Sequence, residues 1–425
     1  MAPIMTATPA DISVLAAGQI PERDPDLLVP LSAPAEGIPF VIDTTKALER
    51  AAAALAAGTG PVAVDAERAS GFRYGQRAFL VQLRREGAGT LLIDPEAFED
   101  LAPINDALRG VEWILHAAHQ DLPCLHEVGM APDALFDTEL AARLAGLPRV
   151  GLGPVVETML GLKLAKEHSA ADWSTRPLPE PWLNYAALDV EVLIELREEM
   201  GALLHGQGKD EIARQEFEAE RVAPDPSPRQ DPWRRTHGLH QLRKPAQLAA
   251  VRELWEEREH VAQTRDRAPG RLLPDSAIIA AAKAMPRTVP QLISTSGFVG
   301  RLAAKEAPRW LAALQRARTS TQLPPLHIKS NTPPPPRSWA DRHPEAAARF
   351  QTARARLARE ADKLGMPSEN LLTPATLKAL CWQPPAVIDL EHLRERLAEL
   401  GARPWQIDRT AAVLTVAFLD PDPLG

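Results

Sequence analysis

Two carboxylates, Asp65 and Glu67, stand two residues apart in the run PVAVDAE (61–67). If that run is a strand, both side chains leave the same face, where their charges repel unless a cation sits between them. Taken alone, the pair also fits a solvated strand end. A second set follows in WILHAAHQDLPCL, where apolar residues lead to His116, His119 and Asp121. Asp121 could cap a helix there. A zinc site from these three residues is disfavoured, because the strand-to-helix junction points them apart and no fourth ligand stands nearby. A third set lies in WLNYAALDVEVLIEL, where Tyr185 and Asp189 are four residues apart and so share one face of a helix. Leu188, Val192 and Leu196 supply the apolar stripe of that helix. Such a pair could be ordinary core rim. Scarcity argues otherwise, since Tyr185 is one of only two tyrosines, the other being Tyr74.

The elements that must position these residues are legible as a change of period. PVAVDAE (61–67), RAFLVQLRR (77–85) and GTLLIDP (89–95) are short apolar runs broken by Gly and charge, which predicts three strands. AFEDLAPINDALRG predicts a helix ending at Gly110, and VEWILHAA (111–118) a fourth strand. From about 119 to 220 the period is helical. Strands first and helices after make a mixed α/β domain over residues 36–220, preceded by an Ala- and Pro-rich stretch, 1–35, that is expected to be a disordered tail. PDPSPRQDP predicts a linker at 221–232. Residues 233–316 are all helical, a Pro-rich linker follows at 317–338, and 339–425 is helical again. The two helical regions have similar length and spacing, which hints at an internal repeat.

Composition bounds the rest. Proline, at 41 of 425 residues, is about twice its usual ~5% share, which the linkers absorb. Cys124 and Cys381 cannot build a disulfide framework or a zinc finger, so a reducing cytoplasm is the expected location. The first residues lack the basic and apolar blocks of a secretory signal, and no apolar run reaches membrane-spanning length. The net charge of −8 argues against holding nucleic acid by bulk charge. That sum hides an uneven distribution. Residues 1–220 carry 17 basic and 35 acidic groups, residues 221–330 carry 19 and 9, and residues 331–425 carry 12 of each. An acidic domain tethered to a basic one suggests cation chemistry on the first and polyanion binding on the second.

In order, D-x-E, H-x4-D and Y-x3-D on a β-then-α background resemble the tyrosine branch of the DEDD superfamily of metal-dependent 3′→5′ exonucleases. FDTELAARLAGL (136–147) and the run from Gly151 to Val190, with its K…S…DW…RPL…YA..DV pattern, look like the ribonuclease D family. Residues 233–315 are similar to an HRDC domain, on Trp233, Leu254, Trp255, Arg258 and LPDSAI (273–278). The last region looks like a diverged second bundle of that type. The resemblance implies an α/β ribonuclease H-like (DnaQ-like) exonuclease domain with a mixed sheet, followed by two all-α HRDC-type helical bundles. It implies that Asp65, Glu67, Asp121 and Asp189 bind two divalent cations, and oxygen ligands select Mg²⁺ or Mn²⁺. Tyr185 completes the catalytic set; a phenol of pKa ~10 is better suited to positioning water than to being the main base.

The activity so implied is hydrolysis at RNA 3′ ends, with tRNA precursors as the expected substrates and no membrane or protein partner. Lys166 and Arg176 are candidates for phosphate contact, although Arg176 and Trp173 could equally fix their loop. Phe72 and Tyr74 are candidates for base stacking. Arg68-Ala69-Ser70 departs from the family, whose members often carry an apolar or aromatic residue there. The alternatives are a DNA 3′→5′ exonuclease of the same superfamily and a non-catalytic RNA-binding scaffold that kept the fold.

Overall fold

The computed structural model describes residues 14–15, 17–165, 168, 170–225, 227, 229–298, 305–328 and 333–422. Its strands are β1 (Val29–Leu31), β2 (Val41–Ile42), β3 (Thr59–Arg68), β4 (Ala78–Glu86), β5 (Gly89–Ile93), β6 (Glu112–Leu115), β7 (Ala134–Asp137) and β8 (Leu162–Leu164). Six of them form one mixed sheet in the order β2-β5-β4-β3-β6-β7, while β1 and β8 pair separately. β4 runs antiparallel to both neighbours, and β3, β6 and β7 run parallel to one another. Alternation along β3 divides the core. Val62, Val64 and Ala66 pack with the helix Thr45–Ala57 on one face. Ala63 packs with Val190, Val192 and Leu196 on the other, the face that Asp65 and Glu67 share by period.

The four strands expected from the sequence are β3, β4, β5 and β6. The helix Thr45–Ala57 precedes the first expected strand and was not among the expected elements, and the helix expected to end at Gly110 spans only Ala102–Ala107. β1, β2, β7 and β8 have at most four residues, too few to display a period.

A disordered tail over residues 1–35 is corrected for its described part, while residues 1–13 lie outside the described residues. Leu15 is buried in the main core. Arg23 donates to the carbonyl oxygens of Thr158 and Met159, at 3.3 and 3.0 Å. β1 pairs with β8, and the Ala35 N–H donates to Glu191 Oε1 at 3.2 Å. This order is drawn from contacts more than 100 residues distant, so the local composition gives no sign of it.

Beyond the α/β domain lie two bundles with one plan. The first runs Pro245–Thr264, Pro269–Leu272, Asp275–Ala284, Val289–Ile293 and Ala307–Thr319. The second runs Pro344–Leu364, Ser368–Leu371, Pro374–Trp382, Leu390–Glu399 and Pro404–Leu419. In each, a long helix is followed by a one-turn helix ending at a buried leucine pair, Leu272–Leu273 and Leu371–Leu372. The second leucine of each pair is extended, with φ −152° and −153°.

Both bundles dock on the α/β domain. The first meets the loop that follows β3. Asp266 accepts from Arg77 Nη1 and Nη2, at 3.0 and 2.8 Å, and from the Tyr74 N–H at 3.2 Å. The second packs into the main core. There the buried Glu216 accepts from the Arg403 guanidinium and from the Trp405 indole N–H. Lys209 Nζ donates to the carbonyl oxygens of Leu144 and Gly365. Gly146 has φ 83°, and any side chain there would strike the Gly365 carbonyl. Among the described residues no helix is long and apolar enough to cross a membrane.

Removing Glu216 leaves a mostly buried guanidinium and an indole N–H without their acceptor. Glu216→Ala is therefore expected to cost ~3 kcal/mol in chemical denaturation. A loss under ~1 kcal/mol would mean that the Glu216 contacts do not hold this interface.

Candidate active site

Asp65 and Glu67 lie near the C-terminal end of β3, opposite Gln82 and Leu80 of β4. The helix Glu180–Glu191 crosses that face, packing on β3, β4 and β5. Pro181 at its start suits the first turn, where an N–H would have no intrahelical acceptor. Trp173 is fully buried beneath this helix, its ring 5.5 Å from Trp182 and 6.3 Å from Tyr185. That packing fixes the rotation of the helix about its axis and turns Tyr185 and Asp189 toward the sheet. The carboxylate oxygens of Asp65, Glu67 and Asp189 then lie within 4.8 Å of one another.

Asp121 arrives by another route. After β6 the chain turns through Ala117, at φ 63°, into the short helix Leu122–Glu127. The Asp137 carboxylate holds this turn, accepting from the N–H groups of Ala117 and Ala118 at 3.1 and 2.6 Å. The same carboxylate caps the helix Thr138–Ala145. Asp121 makes no capping bond, so the helix-cap alternative falls. Its carboxylate lies 3.3 Å from Arg68 Nη2. Of the nearby histidines, His116 bonds Thr138 Oγ1 at 2.9 Å and His119 faces Glu220, which accounts for both without zinc.

The electrostatics are those of a cation-binding donor set. Burial pushes the Asp65 carboxyl up to about 6, opposed by the Ala66 N–H and by Arg68. Burial, then the charges of Asp65, Asp189 and Asp121, hold Glu67 well above the carboxylate range. Asp121 is raised by burial and by Asp65. Tyr185 is raised by burial, by the Asp189 and Glu67 charges and by its hydrogen bond to Asp189, so its hydroxyl stays protonated. A set of buried, mutually repelling oxygen ligands is the donor set of a hard divalent ion.

Other expected contacts are placed differently. Arg176 gives Nε and Nη2 to Asp94 at 2.6 and 2.8 Å, and its remaining bonds go to the carbonyls of Phe79, Trp173 and Thr175. It clamps its loop and has no donor left for phosphate. Phe72 lies under the Arg271 guanidinium, 3.9 Å away, and its carbonyl accepts from the Ala268 N–H. Tyr74 packs against the core of the first bundle. Both aromatics are half-buried and make contacts that dock the first bundle on this loop. Lys166 lies outside the described residues. A cavity of about 460 Å³ opens beside Tyr185, lined also by Ile38, Ala165, His168, Glu180, Pro181 and Asn184. Nothing in the sequence marked Ile38 or Asn184. Arg68 was visible only as a departure from the family.

Residues 39–205 match the family model described as 3′-5′ exonuclease. Residues 247–314 match the HRDC domain and 332–418 the 3′ to 5′ exonuclease C-terminal domain. Ribonuclease D of Pseudomonas paraeruginosa is 30% identical over 315 residues, 71% of this chain and 79% of that protein. The chain belongs to the ribonuclease D family. Ribonuclease D of Escherichia coli is 30% identical over 268 residues, 61% of this chain and 69% of that protein. Its crystal structure superposes with a TM-score of 0.62 at 26% identity, over 85% of this chain and 98% of that one. A protein from Bifidobacterium adolescentis superposes with a TM-score of 0.85 at 39% identity, over 92% and 100%. Ribonuclease D family membership makes the chain a 3′→5′ exoribonuclease, a hydrolase of phosphodiester bonds.

The raised carboxyls give a pH prediction with a definite sign. In the metal-free protein, protonated Asp65 and Glu67 favour the fold. Their contribution is full below the unfolded values near 4 and is lost as pH rises, through about 6 for Asp65. A divalent ion reverses this by pairing the ionised forms. Mg²⁺ should therefore raise the melting temperature by several degrees at pH 8 and by little at pH 5. An equal gain at both values would contradict the assignment.

Proposed function

We propose that the chain removes nucleotides from the 3′ ends of structured RNA, tRNA precursors among them, with two divalent cations, Mg²⁺ or Mn²⁺, as cofactors. The observation that carries this reading is the convergence of Asp65, Glu67 and Asp189, with Asp121 beside them, under the Tyr185 hydroxyl. Asp65, Glu67 and Asp189 would hold one cation, and Asp65 with Asp121 the other. The ions supply Lewis acidity, which activates water and neutralises the leaving oxygen. Tyr185 keeps its proton and orients the attacking water as a hydrogen-bonding group. The cavity beside Tyr185 accommodates the terminal nucleotide, with His168 and Asn184 on its wall. The Escherichia coli enzyme is an exoribonuclease involved in structured RNA processing, which supports the substrate class.

The first bundle supplies a sequence-independent grip. Many of its arginines are paired internally, as Arg309 and Arg316 are with Glu257. Arg243, Lys244 and Lys283 are exposed, and Lys283 Nζ donates to Gln241 Oε1, two residues before Arg243. Such a patch binds phosphates and gives salt-dependent affinity.

The test is digestion of matched 3′-labelled RNA and DNA oligonucleotides with Mg²⁺ or Mn²⁺. Stepwise shortening of RNA is expected, with DNA cut more slowly. Asp65→Ala or Asp189→Ala should lower the rate at least ~10³-fold, the worth of several kcal/mol of Lewis-acid stabilisation. Tyr185→Phe should lose about 10²-fold, the low end for a proton-handling group. Cleavage that persists in EDTA would sink the reading. Separately, Arg243→Glu with Lys244→Glu should raise KM on structured RNA far more than it lowers kcat, and should flatten the salt dependence of binding.

A further inference from the structure

One cation already stands among the carboxylates. Arg68 follows Glu67 directly at the end of β3, where the ladder slips: Glu67 opposes Leu80 and Arg68 opposes Ala78, leaving Phe79 as the extra residue. Such a slip locally increases the twist and re-aims the side chains beside it. Arg68 Nη2 comes to 3.3 Å from Asp121 Oδ1, with the Arg68 side chain 26% exposed and the Asp121 side chain 7%. The same positive charge offsets the burial of Asp65 and Glu67. The oxygens of Asp65, Glu67 and Asp189 converge without Asp121. One cation position is therefore assembled, while the carboxylate needed for the second is paired to a guanidinium.

Resting on the two-cation reading above, we propose that Arg68 is a positioning residue that holds Asp121 in the absence of RNA and yields it to the second divalent ion when RNA arrives. A guanidinium fork fits a phosphate as well as it fits a carboxylate. Its release from Asp121 is matched by a contact to the incoming phosphate, so the charge of the site stays balanced in both states. No bond is made or broken, and the exchange is between ion pairs alone. A guanidinium that stayed on Asp121 would repel a divalent ion at the same oxygen. The second ion therefore binds weakly until the phosphate draws Arg68 away.

The experiment is a Mn²⁺ titration of the chelator-stripped full chain without RNA, with free Mn²⁺ followed by electron paramagnetic resonance. The unsubstituted protein should bind one Mn²⁺ tightly and a second about tenfold or more weakly. Arg68→Ala should tighten the second site about tenfold and leave the first unchanged. Arg68→Lys keeps the charge and should keep the second site weak. Arg68→Gln repeats the neutral test if the alanine variant does not fold. Equal affinities in the unsubstituted protein, an unchanged second site in the neutral variants, or a lysine variant that behaves like alanine would each overturn the proposal. Asp189→Asn should lose the first ion. Binding of no Mn²⁺ by any form would overturn the two-cation reading itself, and this proposal with it.

Discussion

The structure turns on holding like charges together where water cannot screen them. Asp65 and Glu67 come from the end of β3, Asp121 from the start of the short helix Leu122–Glu127 and Asp189 from the helix Glu180–Glu191, and the elements that present them draw Glu67, Asp121 and Asp189 out of solvent. Left to themselves they would separate or take up protons, as the raised Asp65 and Glu67 show. Rigid neighbours resist the first outcome. Trp173 packs beneath the helix that carries Tyr185 and Asp189. Asp137 pins the left-handed turn that leads to Asp121. Arg176 spends every N–H of its guanidinium tying its own loop, at the Trp173 and Thr175 carbonyls, to Asp94 and the Phe79 carbonyl. None of these three is part of the chemistry, yet each removes a motion by which the carboxylates could escape one another.

The same constraint explains why the helical bundles are docked onto the α/β domain. The loop after Glu67 leaves the cluster directly, and any freedom in it would pass to the end of β3. Asp266 of the first bundle gathers Arg77 and the Tyr74 N–H, while Arg271 covers Phe72. The bundle therefore acts twice: its exposed lysines and arginine face solvent, and its docking edge steadies the strand that carries Asp65, Glu67 and Arg68. The second bundle, with equal numbers of acidic and basic groups, is held by burial and by the buried Glu216, which pairs with Arg403 and accepts from Trp405.

How much of this was legible in the sequence follows from the range of each interaction. The D-x-E, H-x4-D and Y-x3-D sets were legible because the chemistry fixes residue type and the element fixes spacing. β3 to β6 were legible because they are strands of an alternating or apolar sheet. β1 and β8 were not, because three residues show no period and their order comes from pairing with each other. The contacts of Phe72, Tyr74 and Arg176 were read as open to nucleic acid because their types suit it. What decides their use is a partner elsewhere in the chain: Arg271, the first bundle's core and Asp94 lie at least 82 residues away.

Charge is where sequence and structure meet most closely. The sum of −8 describes no part of the molecule, since the acidic excess lies on the nuclease domain and the basic excess on the first bundle. A polyanionic substrate should avoid the first and seek the second. The resolution lies in burial. Much of the acidic excess at the site is turned inward, on Glu67, Asp121 and Asp189, where divalent ions can cancel it, and Arg68 cancels part of it at the rim. Much of the basic excess of the bundle remains outside after its internal pairs are made, on exposed residues such as Arg243, Lys244 and Lys283. On the proposed reading, the bulk of the sequence-independent grip lies on the bundle and the catalytic charge on the nuclease domain. The grip can be tuned by salt without disturbing the buried cluster, and the cluster can exchange one cation for another without loosening the grip.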